Sequence, residues 1–193
     1  MQTKAPNPIS LLDKADTLPI IAAYFEISHL KQLYRQGWLR RGIPTERCES
    51  VAEHSFGVAV LAFLLAETYF PDLDHLKVLR MALIHDFGEI YAGDFTPGDN
   101  IPPEEKNQLE RESAQHVFGK LPQGAQYIQL WEEFESGKSP EAQFIQQVDK
   151  LEMVLQASVY EHQGWGGLDE FFCAKEKISL PELQHLLESL VRQ

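Results

Sequence analysis

A chain of 193 residues, 44% of them hydrophobic and 24% charged, is long enough to bury a core of its own. At this size folding hides roughly 70% of the surface the unfolded chain exposes, so neither a disulfide framework nor a structural metal is needed. Seventeen Lys and Arg against 29 Asp and Glu leave a formal charge of −12. That balance repels phosphate backbones and anionic lipid, which excludes a protein that coats a nucleic acid polymer or a membrane surface.

The amino terminus has no basic-then-apolar leader, and the longest apolar stretch, Val58 to Ala66, is shorter than the ~20 residues of a bilayer span. Cys48 and Cys173 lie far apart without CxxC or CxxH spacing, which fits a reducing cytoplasm. Apolar residues recur every three or four positions while strict alternation is scarce, so the chain reads as all-α, a single-domain helical bundle over residues 1–193. The first helix is expected over Ile20 to Tyr34, ending at Gly37-Trp38. Ser50, with Glu53 three residues on, signals a capped start for a central helix that is apolar nearly all round. Pro71-Asp72 ends it, and His75 to Phe87 forms the next, loosened by Gly88 and Gly93. A loop over residues 93–103 leads to a helix over Glu104 to Gly119, whose acidic first turn suits the helix dipole. Further helices follow at Gln126 to Glu135 and Pro140 to His162, and an amphipathic helix over Leu180 to Val191 closes the chain. The acidic runs Glu104-Glu105-Glu110-Glu112 and Glu132-Glu133-Glu135 read as solvated faces.

Chemistry concentrates where the greasy His75 helix ends in His85-Asp86, then Glu89 and, past a glycine, Asp94. At helical spacing His85, Asp86 and Glu89 converge on one side. His54 opens the central apolar helix, and Asp149 lies inside the apolar run from Phe144 to Leu155, where an unpartnered carboxylate is costly. Two imidazoles and two carboxylates form a nitrogen-and-oxygen set suited to Mn²⁺, Co²⁺, Fe²⁺, Ni²⁺ or Zn²⁺. An ion there lowers the pKa of water from ~15.7 toward ~7. An adjacent His-Asp alone is a weak signal; His54, then 31 residues to His85-Asp86, then 63 to Asp149 is much stronger.

This pattern resembles the HD superfamily of metal-dependent phosphohydrolases and, more narrowly, its 5′-deoxynucleotidases. The resemblance rests on Glu49-Ser50-Val51-Ala52-Glu53-His54, on His85 through Asp94, on Asp99-Asn100-Ile101-Pro102, on Leu130 through Glu135 and on Gln147 through Glu152, and covers roughly residues 27–172. It implies an all-helical HD domain, often a homodimer, that hydrolyses deoxyribonucleoside 5′-monophosphates to deoxynucleoside and phosphate. It further implies that His54, His85, Asp86 and Asp149 hold the divalent ion and that Glu89 and Asp94 assist catalysis, with room for a second divalent ion beside them. Arg35, Trp38 and Arg41 match the substrate mouth, Trp38 offering a flat face to a base or sugar. The segment between Trp38 and His54 is about two residues longer than the family pattern, which leaves Arg35, Arg40 and Arg41 all as candidates for the phosphate. Two other functions use the same residues: hydrolysis of a cyclic nucleotide, an alarmone or a dNTP, and a non-catalytic helical adaptor with a structural metal.

Overall fold

A computed structural model describes residues 1–12 and 17–191. Ten α-helices follow one another among the described residues: α1 (Pro19–Ile27), α2 (Gln36–Arg40), α3 (Val51–Tyr69), α4 (His75–Ile84), α5 (Glu89–Ala92), α6 (Pro103–Phe118), α7 (Gly124–Ser136), α8 (Pro140–His162), α9 (Asp169–Phe172) and α10 (Pro181–Val191). Short 3-10 turns cover Pro8–Leu11, Ser28–Lys31, Pro97–Asp99 and Cys173–Lys177. Among the described residues extended pairing is confined to two isolated bridges, Thr3 with Leu33 and Tyr34 with Ser50, so the fold is all-helical as expected.

The chain divides into two compact units. Unit 1 comprises Met1–Ser55 and Ile84–Glu132. Its core is built from Ala23, Leu30, Leu33, Trp38, Ile90, Val117, Phe118 and Trp131, all buried. In it α6 packs against both α1 and α5. One buried carboxylate joins these three helices: Glu26 of α1 accepts a hydrogen bond from the Tyr91 hydroxyl of α5 at 2.7 Å, lies 3.2 Å from His116 Nε2 of α6, and is paired with Lys120 just beyond α6. Phe87 stacks on Phe118 with ring centroids 5.4 Å apart.

Unit 2 comprises Phe56–Leu83 and Glu133–Gln193, of which residues 192 and 193, the end of the expected C-terminal segment, lie outside the described residues. The long helix α8 is its axis, with α9, α10 and the 3-10 turn between them packed along it. Phe70 and Phe144 meet with centroids 4.9 Å apart, and Lys77 of α4 is bound by Glu133 at 2.5 Å and Glu141 at 3.0 Å. Gln147 Oε1 accepts from the backbone N–H groups of Ser179 and Leu180 at 2.7 and 2.9 Å, which anchors the start of α10.

The helices at Pro140–His162 and near the C-terminus stand where periodicity puts them, and the capping box at α3 is real. Glu53 Oε2 accepts from Ser50 N and Ser50 Oγ, both at 2.7 Å. Three expectations are corrected. The first helix ends at Ile27 rather than Tyr34, because Tyr34 is drawn into its bridge with Ser50. Gly37 and Trp38 do not end a helix but lie inside α2. The helix from His75 stops at Ile84, and residues 85–88 form a turn before α5. α3 is also less enclosed than its composition suggests. By length and composition alone this helix could cross a membrane, since 18 of its 19 residues have a mean hydropathy of 1.4, and 44% of that stretch is buried inside the protein. Phe56, Val60, Phe63 and Leu64 of its remaining surface are exposed.

Candidate metal centre and active site

Three of the expected ligands meet in unit 1. His54 stands in the first turn of α3, whose capping box fixes where the helix begins and hence where this imidazole points. His85 and Asp86 occupy the turn between α4 and α5. The buried Nε2 atoms of His54 and His85 lie 3.6 and 3.3 Å from the same oxygen, Asp86 Oδ2, and the two rings sit edge to face at 5.6 Å. Burial opposes the charge on Asp86, but the neighbouring His85 and His54 outweigh it and hold the carboxyl well below the usual carboxylate range. Two imidazole nitrogens and a carboxylate oxygen gathered on one point are the donor set that a divalent transition ion takes, so these residues fit such an ion.

Close packing on both sides sets the turn. Trp131 Nε1 donates to the His85 carbonyl at 3.2 Å. On the opposite flank Gly88 faces α6 so closely that a Cβ there would stand 2.7 Å from Glu110 Cβ and 3.2 Å from Glu110 Cα. Glu110 is thereby buried, pairing with Lys106 at 3.1 Å, which corrects the expectation of a solvated acid at this position.

Glu89 and Asp94 stand beside the triad and differ from one another. Glu89 opens α5, with Oε2 buried and without a hydrogen-bond partner among the described residues. Burial, together with the charges of Asp86 and Asp94, pushes its pKa well above the ordinary value. Asp94 follows Gly93, whose φ of 89° turns the chain, and both its oxygens accept hydrogen bonds: Oδ1 from Arg35 Nη1 at 2.8 Å and Oδ2 from the Gln36 backbone N–H at 2.5 Å. Arg35 Nη1 also lies 3.8 Å from Glu89 Oε1.

The expected substrate residues separate. Arg35 points into this acidic pair. Arg40 pairs with Asp99 of the 3-10 turn over Pro97–Asp99, and Arg41 is exposed at the end of α2. Trp38 does not offer an open face: its indole is 2% exposed and its Nε1 donates to Glu49 Oε1 at 2.7 Å. The ring is a packed part of unit 1, and the expectation of a stacking platform is corrected. Asp149 lies in α8, in unit 2.

Sequence reasoning missed Gln36, Glu49, Gly88 and Trp131 as supports of the site. Gly88 was visible as a glycine inside an ionisable cluster; the other three carry no local signal, since their partners are 11 to 58 residues away.

An all-helical fold carrying a His donor at the start of α3 and a His-Asp pair in the turn after α4 defines a metal-dependent hydrolase of the HD type. Residues 27–189 match the family model described as HD domain, and the chain belongs to that family. The mouse protein named 5′-deoxynucleotidase HDDC2 is 37% identical over 169 residues, covering 85% of this chain and 82% of the relative. The fission yeast protein named 5′-deoxynucleotidase hdd1 is 31% identical over 190 residues, covering 94% and 93%. Among solved structures, the PH0347 protein of Pyrococcus horikoshii superposes with a TM-score of 0.74 at 34% identity, covering 89% of this chain and 96% of that one. A predicted metal-dependent phosphohydrolase of Magnetospirillum magnetotacticum does so at 0.68 and 32%, covering 90% and 92%.

Proposed function

We propose that this protein is a metal-dependent phosphomonoesterase that hydrolyses deoxyribonucleoside 5′-monophosphates to deoxynucleoside and phosphate. The observation that carries the reading is the convergence of His54, His85 and Asp86 on one buried point with Glu89 and an arginine-bound Asp94 beside it. The relatives' shared name supplies the substrate class. His54, His85 and Asp86 would hold the divalent ion, with Asp149 of α8 as the fourth donor from the sequence pattern. When bound, such an ion supplies Lewis-acid activation of water and neutralises phosphoryl charge.

The chain's own groups divide the remaining work. The Arg35 guanidinium is the fork that meets the phosphate, because of the three candidate arginines it alone reaches the acidic pair beside the triad. Asp94, with both oxygens occupied by N–H donors, aims Arg35 rather than moving a proton. Glu89 Oε2, buried and raised in pKa, holds the proton that the departing 5′ oxygen needs. With Glu89 protonated, Arg35 balances the remaining charge of Asp94, so this reading uses a single divalent ion. The N,O ligand set suits Mn²⁺ or Co²⁺.

A homodimer accompanies this reading. Phe56, Val60, Phe63 and Leu64 of α3 with Leu76 and Leu83 of α4 expose apolar area in unit 2 that a second copy would cover. Light scattering of the native protein and of Leu64→Glu tests this; a monomeric native protein refutes it. Two unbridged thiols accompany a cytoplasmic location.

Colorimetric phosphate release from dAMP, dTMP and AMP, with and without Co²⁺, tests the function. Release from the deoxynucleotides that chelation abolishes and Co²⁺ restores is expected. Full activity after exhaustive chelation and in His85→Ala would refute it, as would inert monophosphates beside a cleaved cyclic nucleotide or triphosphate.

A further inference from the structure

We propose that Gln36 is a positioning residue for Arg35, and that the amino-terminal segment 1–4 is a strap that holds Gln36 in place. The proposal rests on the reading of Arg35 as the phosphate fork. Gln36 is the first residue of α2 and is buried. Its side-chain amide is fully engaged: Oε1 accepts from Gln2 N at 2.9 Å, and Nε2 donates to Gln2 O and to Tyr34 O, each at 2.8 Å. The glutamine thus pairs with both backbone groups of residue 2, as a strand neighbour would.

The segment continues in the same manner. Thr3 bridges Leu33, Lys4 N donates to Gln32 O at 2.7 Å, and Lys4 Nζ lies 3.4 Å from Glu53 Oε2, the carboxylate that caps α3. Met1 lies against Gly93, where a Cβ would come within 2.2 Å of Met1 Sδ. Gly93 is the residue before Asp94, so the strap touches both Gln36, which donates to that carboxylate, and the backbone next to it.

The remaining links are short. The Gln36 backbone N–H has no intrahelical acceptor because it lies in the first turn, and it is spent on Asp94 Oδ2. Asp94 Oδ1 in turn binds Arg35 Nη1. A long arginine side chain has many rotamers, and this one is directed by a carboxylate whose own orientation is set by the Gln36 amide. A segment that touches no substrate in this reading therefore governs the fork that does, where displacement of about 1 Å costs on the order of 100-fold.

Two variants test the strap. Gln2→Pro removes the N–H that Gln36 Oε1 accepts and leaves the site residues intact. Gln36→Leu keeps side-chain bulk and the backbone N–H but deletes the amide contacts. The first readout is hydrogen exchange at the Gln36 amide in the metal-free protein, expected to accelerate about tenfold in both variants. The second is dAMP hydrolysis in Co²⁺, where KM is expected to rise about five- to tenfold, the worth of one hydrogen bond, with kcat within about twofold. Unchanged Gln36 exchange or unchanged KM in both variants overturns the proposal. So does a fall in kcat that tracks a lowered melting temperature, since that marks a merely structural role. A wild-type protein inactive on dAMP would refute the function, while the exchange measurement would still decide the strap.

Discussion

Trp38→Phe separates a packed indole from a substrate platform. The ring is 2% exposed and its Nε1 donates to Glu49 Oε1 at 2.7 Å. Phenylalanine keeps an aromatic ring in the core and deletes the donor. A hydrogen bond to a charged acceptor contributes about 1.5–3 kcal/mol, and the missing ring atoms leave a void that costs about 1 kcal/mol more. Glu49 is half-buried and can turn part of its carboxylate to water, so the net loss should be about 2–3 kcal/mol. In a chain of this length each kcal/mol moves the melting midpoint by about 2–4 °C, which places the fall at about 4–12 °C. Calorimetry measures that fall, and steady-state phosphate release measures KM for dAMP and dTMP, whose ratio should not move because the ring does not meet the base. An unaltered midpoint with KM raised, more for the purine than for the pyrimidine, would refute the assignment of Trp38 to the core.

Further outcomes follow from the same geometry. Gly88→Ala should destabilise the protein by about 1–3 kcal/mol by overpacking against Glu110, and should weaken Mn²⁺ binding through the displaced turn; denaturant unfolding and a metal titration check it, and native values of both would count against the packing argument. Glu89 has a folded-state pKa above its unfolded one, so the folded state holds the extra proton and stability falls as pH rises from the unfolded value through the folded one. Metal-free Glu89→Gln should accordingly gain stability over metal-free wild type at pH 8, with the gap closing toward pH 4, while the kcat of the Co²⁺-loaded variant drops about 100-fold or more. Equal urea midpoints for the two proteins at pH 8 would contradict the burial argument. Mn²⁺ at a hundredfold excess over its Kd should stabilise the wild type by about 2.7 kcal/mol and leave His85→Ala unmoved. A thermal shift series with and without chelator measures both.

How much was legible in the sequence depends on how far each residue's partners lie. The start of α3 could be read because Ser50 and Glu53 cap each other three residues apart. α8 could be read because its Pro140 start and long periodicity are local. The end of α4 could not. Apolar periodicity runs on to Phe87, but that ring is stacked on Phe118 of α6, and the chain leaves helical geometry at His85 to reach it. His85 and Asp86 were rightly grouped as neighbours, although a turn and not a helix face brings them together. Glu110 looked like one more acid in a solvated run because only tertiary packing shows that Gly88 lies against it. Glu26 drew no reading from the sequence, because the three partners that account for its burial lie on α5, on α6 and just beyond. Trp38 was misread because a tryptophan near arginines looks the same in sequence whether its indole N–H faces a ligand or a half-buried glutamate.

The contact between Gly88 and Glu110 also bears on how functional members of such a family can be recognised. With no side chain at position 88, one rod of the protein comes up against the ligand-bearing bend until their surfaces touch, and even a methyl group there intrudes. The diagnostic pattern is therefore better written as histidine, aspartate, any residue, glycine, glutamate than as the bare histidine–aspartate doublet. Sequences that retain the doublet but enlarge the fourth position would need a compensating retreat of the facing rod, and a genome survey could use that test to set aside lookalikes.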